Sequence, residues 1–209
     1  MKLFLASLAS TTLDLVLPLL PDKPNKLKLA FIDTATHPYG AIDMPWMTAD
    51  RDKLAAMGFF MTDYDIKGKN ADQLRRDLSQ YQVIFVEGGN TFYLLNEVKK
   101  SGFDVVIKEL LDKGVIYIGA SAGSMILGPD LDHLVKIDHP ETVPELTDYT
   151  CLGLIPERIL PHLGREKYAA VHTAVTKEWG DKILALRDDQ ALVVDGDIHN
   201  IVNLQGPSS

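Results

Sequence analysis

Residues 114–128, Gly114-Val115-Ile116-Tyr117-Ile118-Gly119-Ala120-Ser121-Ala122-Gly123-Ser124-Met125-Ile126-Leu127-Gly128, constrain the fold of this chain more than any other stretch. An apolar, β-branched run enters a Gly-x-Ser-x-Gly pattern and leaves it in a short helical one, which predicts a strand, a sharp turn and a helix. A serine in that setting is a nucleophile elbow. Its hydroxyl stands out at the carboxyl edge of a sheet, while Gly119 and Gly123 let backbone and substrate approach closely. The N–H of Ala122, opening the following helix, would face the same spot and meet negative charge developing on an attacked carbonyl. A glycine-rich turn that merely packs tightly is the plainer alternative.

On both sides of this stretch, strand and helix patterns alternate. Strands are expected at about residues 2–6, 27–32, 59–61, 82–86 and 182–186, with a hairpin of 190–194 and 198–204 around Asp195-Gly196-Asp197. Helices are expected at about 10–20, from a Thr48 cap to Gly58, at 70–79, from Asn90 to about Lys100, at 104–113 and at 165–179. Residues 34–45 read as a polar loop, and 128–150, broken by Pro129, Pro140 and Pro144, as an irregular excursion near the site. Such alternation calls for an α/β fold, a mostly parallel sheet with helices on both faces. A length of 209 residues fits a single domain, 1–209.

Composition removes several function classes. A net charge of −8 without clustered Lys and Arg argues against a nucleic-acid binder. The start, Lys2 followed by Leu3-Phe4-Leu5-Ala6-Ser7-Leu8-Ala9-Ser10, imitates a signal peptide, but Thr11, Thr12 and Asp14 interrupt it, and a strand followed by a capped helix accounts for more residues. No run reaches the roughly 18 apolar residues of a membrane span. The single cysteine, Cys151, excludes an internal disulfide framework, reads as a small core residue and suits a cytoplasmic setting.

The strand at 82–86 runs into Glu87-Gly88-Gly89-Asn90-Thr91-Phe92, a second Gly-rich edge where parallel sheets bind ligands. Neither nucleotide-phosphate pattern is present, so no cofactor is expected. The N–H of Gly88 or Gly89 would instead complement Ala122 in an oxyanion hole. Asn90 and Thr91 are expected beside the substrate, with a helix cap as the plainer role of Asn90. Asp130, Asp132, His133, Asp138 and His139 mix carboxylates and imidazoles, but at no standard zinc spacing, so no metal is expected. A serine needs an imidazole to take its proton, and His162, ending the apolar run Arg158-Ile159-Leu160-Pro161, is the candidate among six histidines.

Together, Gly88-Gly89-Asn90-Thr91-Phe92, Gly119-Ala120-Ser121-Ala122-Gly123-Ser124 and Pro161-His162 resemble the dipeptidase E family of serine peptidases, which includes the cyanophycinases, over essentially the whole chain. The resemblance implies Ser121 as nucleophile and His162 as general base, in a fold similar to the class I glutamine amidotransferases, flavodoxin- or Rossmann-like, whose elbow nucleophile is cysteine. It offers two regions for the triad acid. One is the irregular segment, with Asp130 or Asp138; the other is the late turn, with Asp188 beside Asp189. Asp188 is favoured because its turn follows a strand. The resemblance also implies an exopeptidase acting on aspartyl dipeptides, with Arg165 as the plausible counterpart of the arginine that holds the acidic residue. A local cation is needed there, because the net negative charge repels a carboxylate.

The expected function is therefore a serine peptidase that cleaves small peptides, aspartyl dipeptides among them, through an acyl-enzyme. The alternatives are a non-catalytic small-molecule or amino-acid binding protein that keeps the pocket, and an α/β-hydrolase esterase. The short chain and the absence of a suitably late histidine count against the esterase.

Overall fold

The strand segments read as unbroken apolar runs because both faces of the sheet they form are covered. The computed structural model describes residues 1–40 and 42–204. Ala41 of the expected polar loop and residues 205–209 of the expected domain lie outside the described residues.

In chain order the elements are β1 (Lys2–Ala6), α1 (Ala9–Thr12), β2 (Lys28–Ile32), α2 (Pro45–Met57), β3 (Phe60–Asp63), α3 (Ala71–Leu78) and β4 (Val83–Val86). They continue with α4 (Thr91–Ser101), α5 (Phe103–Asp112), β5 (Ile116–Ala120), α6 (Ala122–Met125), β6 (Arg158–Leu163), α7 (Ala169–Trp179), β7 (Ile183–Arg187), β8 (Gln190–Asp195) and β9 (Ile198–Asn203). The central sheet has the order β3-β2-β4-β5-β1-β8-β9. Strands β3 to β1 pair in parallel, and β8 and β9 extend the sheet antiparallel. This is the mostly parallel α/β architecture expected.

Side chains alternate across it. Leu3, Leu5, Ala30, Ile32, Ile84, Val86 and Tyr117 enter one core, closed by Leu74 of α3, Leu94 of α4, Val106 of α5 and Met125 of α6. Phe4, Leu29, Phe31, Val83, Phe85, Ile116 and Ile118 enter the other, closed by Ala9 of α1, Leu13, Val16 and Leu54 of α2. The carboxyl ends of β1, β4 and β5 therefore lie side by side at one edge, where Ser7, Glu87 and Ser121 follow them.

Local chemistry explains where the elements depart from expectation. The helix expected at 10–20 is α1 followed by a 3₁₀ segment, Leu13–Leu19, with Pro18 inside it, a residue that cannot donate an α-helical hydrogen bond. Helix α2 begins at Pro45 rather than at a Thr48 cap, because proline's fixed φ suits the first helical position. Residues 128–150 are packed rather than loose. They contain short 3₁₀ turns at Asp132–Leu134 and Pro140–Thr142, an Asp130–Thr150 bridge, and buried Leu131, Leu134, Val143 and Leu146. The helix expected from Arg165 is a 3₁₀ turn, Glu166–Tyr168, leading into α7. Strands β6 and β7 form a separate parallel pair, with an irregular register between Leu160 and Leu163.

Candidate active site

Ser121 occupies the turn between β5 and α6 at φ 45°, ψ −104°, a conformation that costs a non-glycine residue about 1–3 kcal/mol. The surroundings hold it there. The Ser121 N–H donates to Ala6 O at 3.0 Å, Tyr117 donates its hydroxyl to Gly123 O at 2.6 Å, and the Ser124 hydroxyl bonds Ala6 O and Gly119 O at 2.9 and 2.8 Å. Gly123 is obligatory at this contact, since a Cβ there would stand 2.1 Å from Val86 O.

His162 also has a positive φ, 64°, at the irregularity in β6, and this directs its ring toward the edge of the other sheet. Its Nε2 lies 3.2 Å from Ser121 Oγ and its Nδ1 lies 2.7 Å from Asp188 Oδ1. With Nδ1–H donating to the carboxylate, Nε2 is left to accept from the serine hydroxyl. Tyr168 stacks on the imidazole with ring centres 5.8 Å apart. Asp188 sits on the tight turn between β7 and β8 and receives more than the histidine. Ser7 donates its hydroxyl to Oδ1 at 3.0 Å, and Arg165 donates Nε–H to Oδ2. Burial by itself would raise the Asp188 carboxyl, but the hydrogen bonds from His162, Arg165 and Ser7 outweigh it and bring it down to about 2.

The other acids expected as candidates are engaged elsewhere. Asp130 forms a two-point ion pair with Arg158, and Asp189 pairs with Arg187 at 3.0 Å. Asp138 accepts the Thr91 N–H at 2.6 Å, at the amino end of α4. Asn90 and Thr91, expected at the substrate, are instead buried in that same cap. The Asn90 side chain accepts from Tyr93 N at 2.7 Å and donates toward Asp138, His139 O and Thr142, while Thr91 is fully buried. The histidine and carboxylate mixture after the elbow is dispersed too. His133 bonds Ile159 O at 3.0 Å and His139 pairs with Glu141 at 2.8 Å.

The glycine loop divides in function. Gly88 N–H is taken by its neighbour Glu87, whose Oε1 accepts it at 2.6 Å, so the expected Gly88 donor is occupied. Gly89 N–H and Ala122 N–H have no backbone or side-chain acceptor among the described residues; Gly89 lines the same cavity as Ser121, and Ala122 follows it at the start of α6. Gly89 needs its φ of 146° and its lack of a side chain, because a Cβ would stand 2.3 Å from Ala35 O.

A cavity of about 280 Å³ opens over these groups, lined in part by Ser7, Tyr39, Trp46, Gly89, Ser121 and Arg165. Arg165 is engaged through Nε alone, and its terminal nitrogens make no hydrogen bond among the described residues. Sequence reasoning passed over three residues lining this cavity. Ser7 accepts His162 N–H at 2.8 Å as well as donating to Asp188, and its only signal was its place after the apolar strand that pairs with the elbow strand. Asp50 and Glu87 are each 1% exposed. Both carboxyls are pushed above the usual range by burial, and in Glu87 by the charge of Asp50 as well.

The chain is similar to proteins already known. A crystal structure of a Listeria monocytogenes EGD-e protein assigned to peptidase E superposes with a TM-score of 0.89, at 26% identity over 98% of both chains. An uncharacterized peptidase of Listeria innocua is 31% identical over 134 residues, a stretch spanning 64% of each chain. A Drosophila melanogaster protein named for alpha-aspartyl dipeptidase activity is 30% identical over 171 residues, covering 77% of this chain and 68% of that one. The model of peptidase family S51 matches residues 4–202, and the chain belongs to that family.

Proposed function

We propose that this S51 peptidase hydrolyses amide bonds of small peptides with Ser121 as nucleophile, His162 as general base and Asp188 as the orienting acid. The observation that carries the reading is the unbroken chain of contacts from Ser121 Oγ through both ring nitrogens of His162 to Asp188. The ring takes the serine proton as the hydroxyl attacks the carbonyl carbon. Asp188, ionised across the neutral range, stabilises the imidazolium that results. Negative charge on the carbonyl oxygen meets Gly89 N–H and Ala122 N–H, with the short α6 behind the latter. The imidazolium then protonates the departing amine, and water, activated by the same ring, releases the acyl group.

The strained backbones of Ser121 and His162 support catalysis over a pocket that only binds, since such cost is characteristically retained where a reacting group must be aimed. The substrate reading is an aspartyl dipeptide, supported by Arg165 in the cavity lining, whose terminal nitrogens carry no hydrogen bond among the described residues, and by the alpha-aspartyl dipeptidase relative. The single cysteine, Cys151, fits a cytoplasmic setting. The test is fluorophosphonate labelling of Ser121 together with turnover of a dipeptide set bearing Asp, β-Asp and neutral first residues. An unlabelled serine and an inert protein would refute the mechanism, and equal turnover of acidic and neutral dipeptides the specificity.

A further inference from the structure

A second cavity, of about 110 Å³, shares Ser121 with the first. Gly89, His162 and Tyr168 also line both, so each recess is walled in part by the nucleophile, an oxyanion donor and the base. Their other walls differ. The first holds Arg165, whereas no lysine or arginine lines the second among the described residues. Met125 of α6, Leu134, Ile137 and Pro161 give the second apolar walls. Leu134 and Ile137 come from the packed stretch 128–150, which supplies no member of the triad. The acid on this wall, Asp138, already caps α4 through Thr91 N–H and would repel a second carboxylate. His172 is buried there too. Burial, and after it the nearby His162, holds its imidazole below the ordinary value, so it brings a neutral ring rather than a charge.

We propose that this second cavity is the subsite for the residue released on cleavage, and that it takes an uncharged, apolar side chain. The assignment rests on the peptidase reading above and names the leaving half of its substrate. A peptidase must seat a residue on each side of the bond that its nucleophile attacks. An acidic first residue belongs with Arg165 in the first cavity, which leaves the cavity without a cation for the residue that follows. His162 fits this order. Its ring lines the second cavity and, bonded to Ser121, protonates the departing amine, the nitrogen to which the released residue is attached. Burial fits it as well, since an aliphatic side chain entering the recess leaves water and gains contact with Met125, Leu134 and Ile137.

The experiment is steady-state kinetics on Asp-X and Ala-X dipeptides, with Gly, Leu, Trp and Asp at X, alongside fluorophosphonate labelling of Ser121. Leu at X is expected to give a kcat/KM about 10 to 150-fold above Gly, the rate equivalent of burying one aliphatic side chain, and Asp at X the lowest value. Two variants of the half-buried Ile137 then change the room available. Ile137→Phe narrows the recess and should lower the Leu to Gly ratio several-fold. Ile137→Ala widens it and should raise the Trp to Leu ratio by a similar factor. A general packing defect would slow all substrates alike and move neither ratio. Equal turnover of Leu and Gly dipeptides, turnover of Asp at X as fast as Leu, or ratios that neither variant moves overturn the subsite. So does a variant that changes the Asp to Ala ratio at the first residue instead, since the recess would then belong to the acyl half. A labelled Ser121 in a protein that turns over none of the dipeptides also overturns it. Failure of labelling refutes the peptidase reading itself, and the subsite with it.

Discussion

Arg165 donates its Nε–H to Asp188, the carboxylate that also holds His162 Nδ1 at 2.7 Å. One acid therefore ties a cation lining the cavity to the imidazole beside Ser121, so changes at Arg165 act on catalysis as well as on binding.

Ser121→Ala and His162→Ala should each lower amide hydrolysis by about 10⁴ or more with unchanged folding, and the double variant should lose little beyond either one. Nucleophile and base act as a unit, so removing one leaves nothing for the other to do. Steady-state kinetics on a dipeptide substrate, with circular dichroism as the folding control, checks this. Additive losses would assign the base to another histidine.

Asp188→Asn should lower turnover by up to about 10⁴, through loss of the productive tautomer, while Asp130→Asn and Asp138→Asn leave turnover within a few-fold. It should also change acid stability. A carboxyl near 3.9 in the unfolded chain and about 2 in the fold stabilises the protein above pH 4, and that contribution disappears as pH falls through 2. Its size is about 2 kcal/mol. The stability deficit of Asp188→Asn, measured by denaturant unfolding, should be full at pH 7 and shrink between pH 4 and pH 2. A deficit independent of pH would detach it from the charge.

Arg165→Met deletes the guanidinium while keeping much of its aliphatic volume. Because Arg165 also supports Asp188, neutral dipeptides should lose a few-fold in kcat/KM. Asp-X dipeptides should lose a further 10 to 150-fold, roughly the worth of a charge-assisted pair. Lysine should restore only part of it, since an ammonium lacks the planar fork. The ratio of acidic to neutral kcat/KM is the readout, and a ratio unchanged by the substitution would place aspartate recognition elsewhere.

Glu87→Gln should stabilise the folded protein increasingly as pH rises. A carboxyl whose folded pKa lies above its unfolded value favours the fold fully below about pH 4.3, and this advantage is lost as pH climbs toward the folded pKa. An amide has no such loss. Thermal unfolding of both proteins from pH 4 to pH 9 should show melting temperatures that diverge in favour of the variant. Parallel curves would mean that Glu87 titrates as it does in the unfolded chain.

Local chemistry determined much of this protein. The apolar run into Gly119-Ala120-Ser121-Ala122-Gly123 specified strand, turn and helix, because an unbroken apolar β-branched run, glycines that admit close backbone and a helix start are all short-range signals. Asn70 with Gln73 and the left-handed Gly58 likewise set helix ends from sequence neighbours alone. Long-range placement was not legible in the same way. The separate pairing of β6 with β7 is made between segments distant along the chain, and it brings His162 and the Asp188 turn together. Sequence favours Asp188 over Asp130 and Asp138 only through the strand before its turn, and it is the fold that gives Asp130 an arginine and Asp138 a helix end to cap. Asp50 and Glu87 are 37 positions apart and belong to a helix and a strand end with no shared motif, so only the packing of α2 against the edge after β4 makes them neighbours. Secondary structure and caps depend on residues a few positions apart, whereas hydrogen bonds between side chains on different elements depend on how the layers close, which no local pattern encodes.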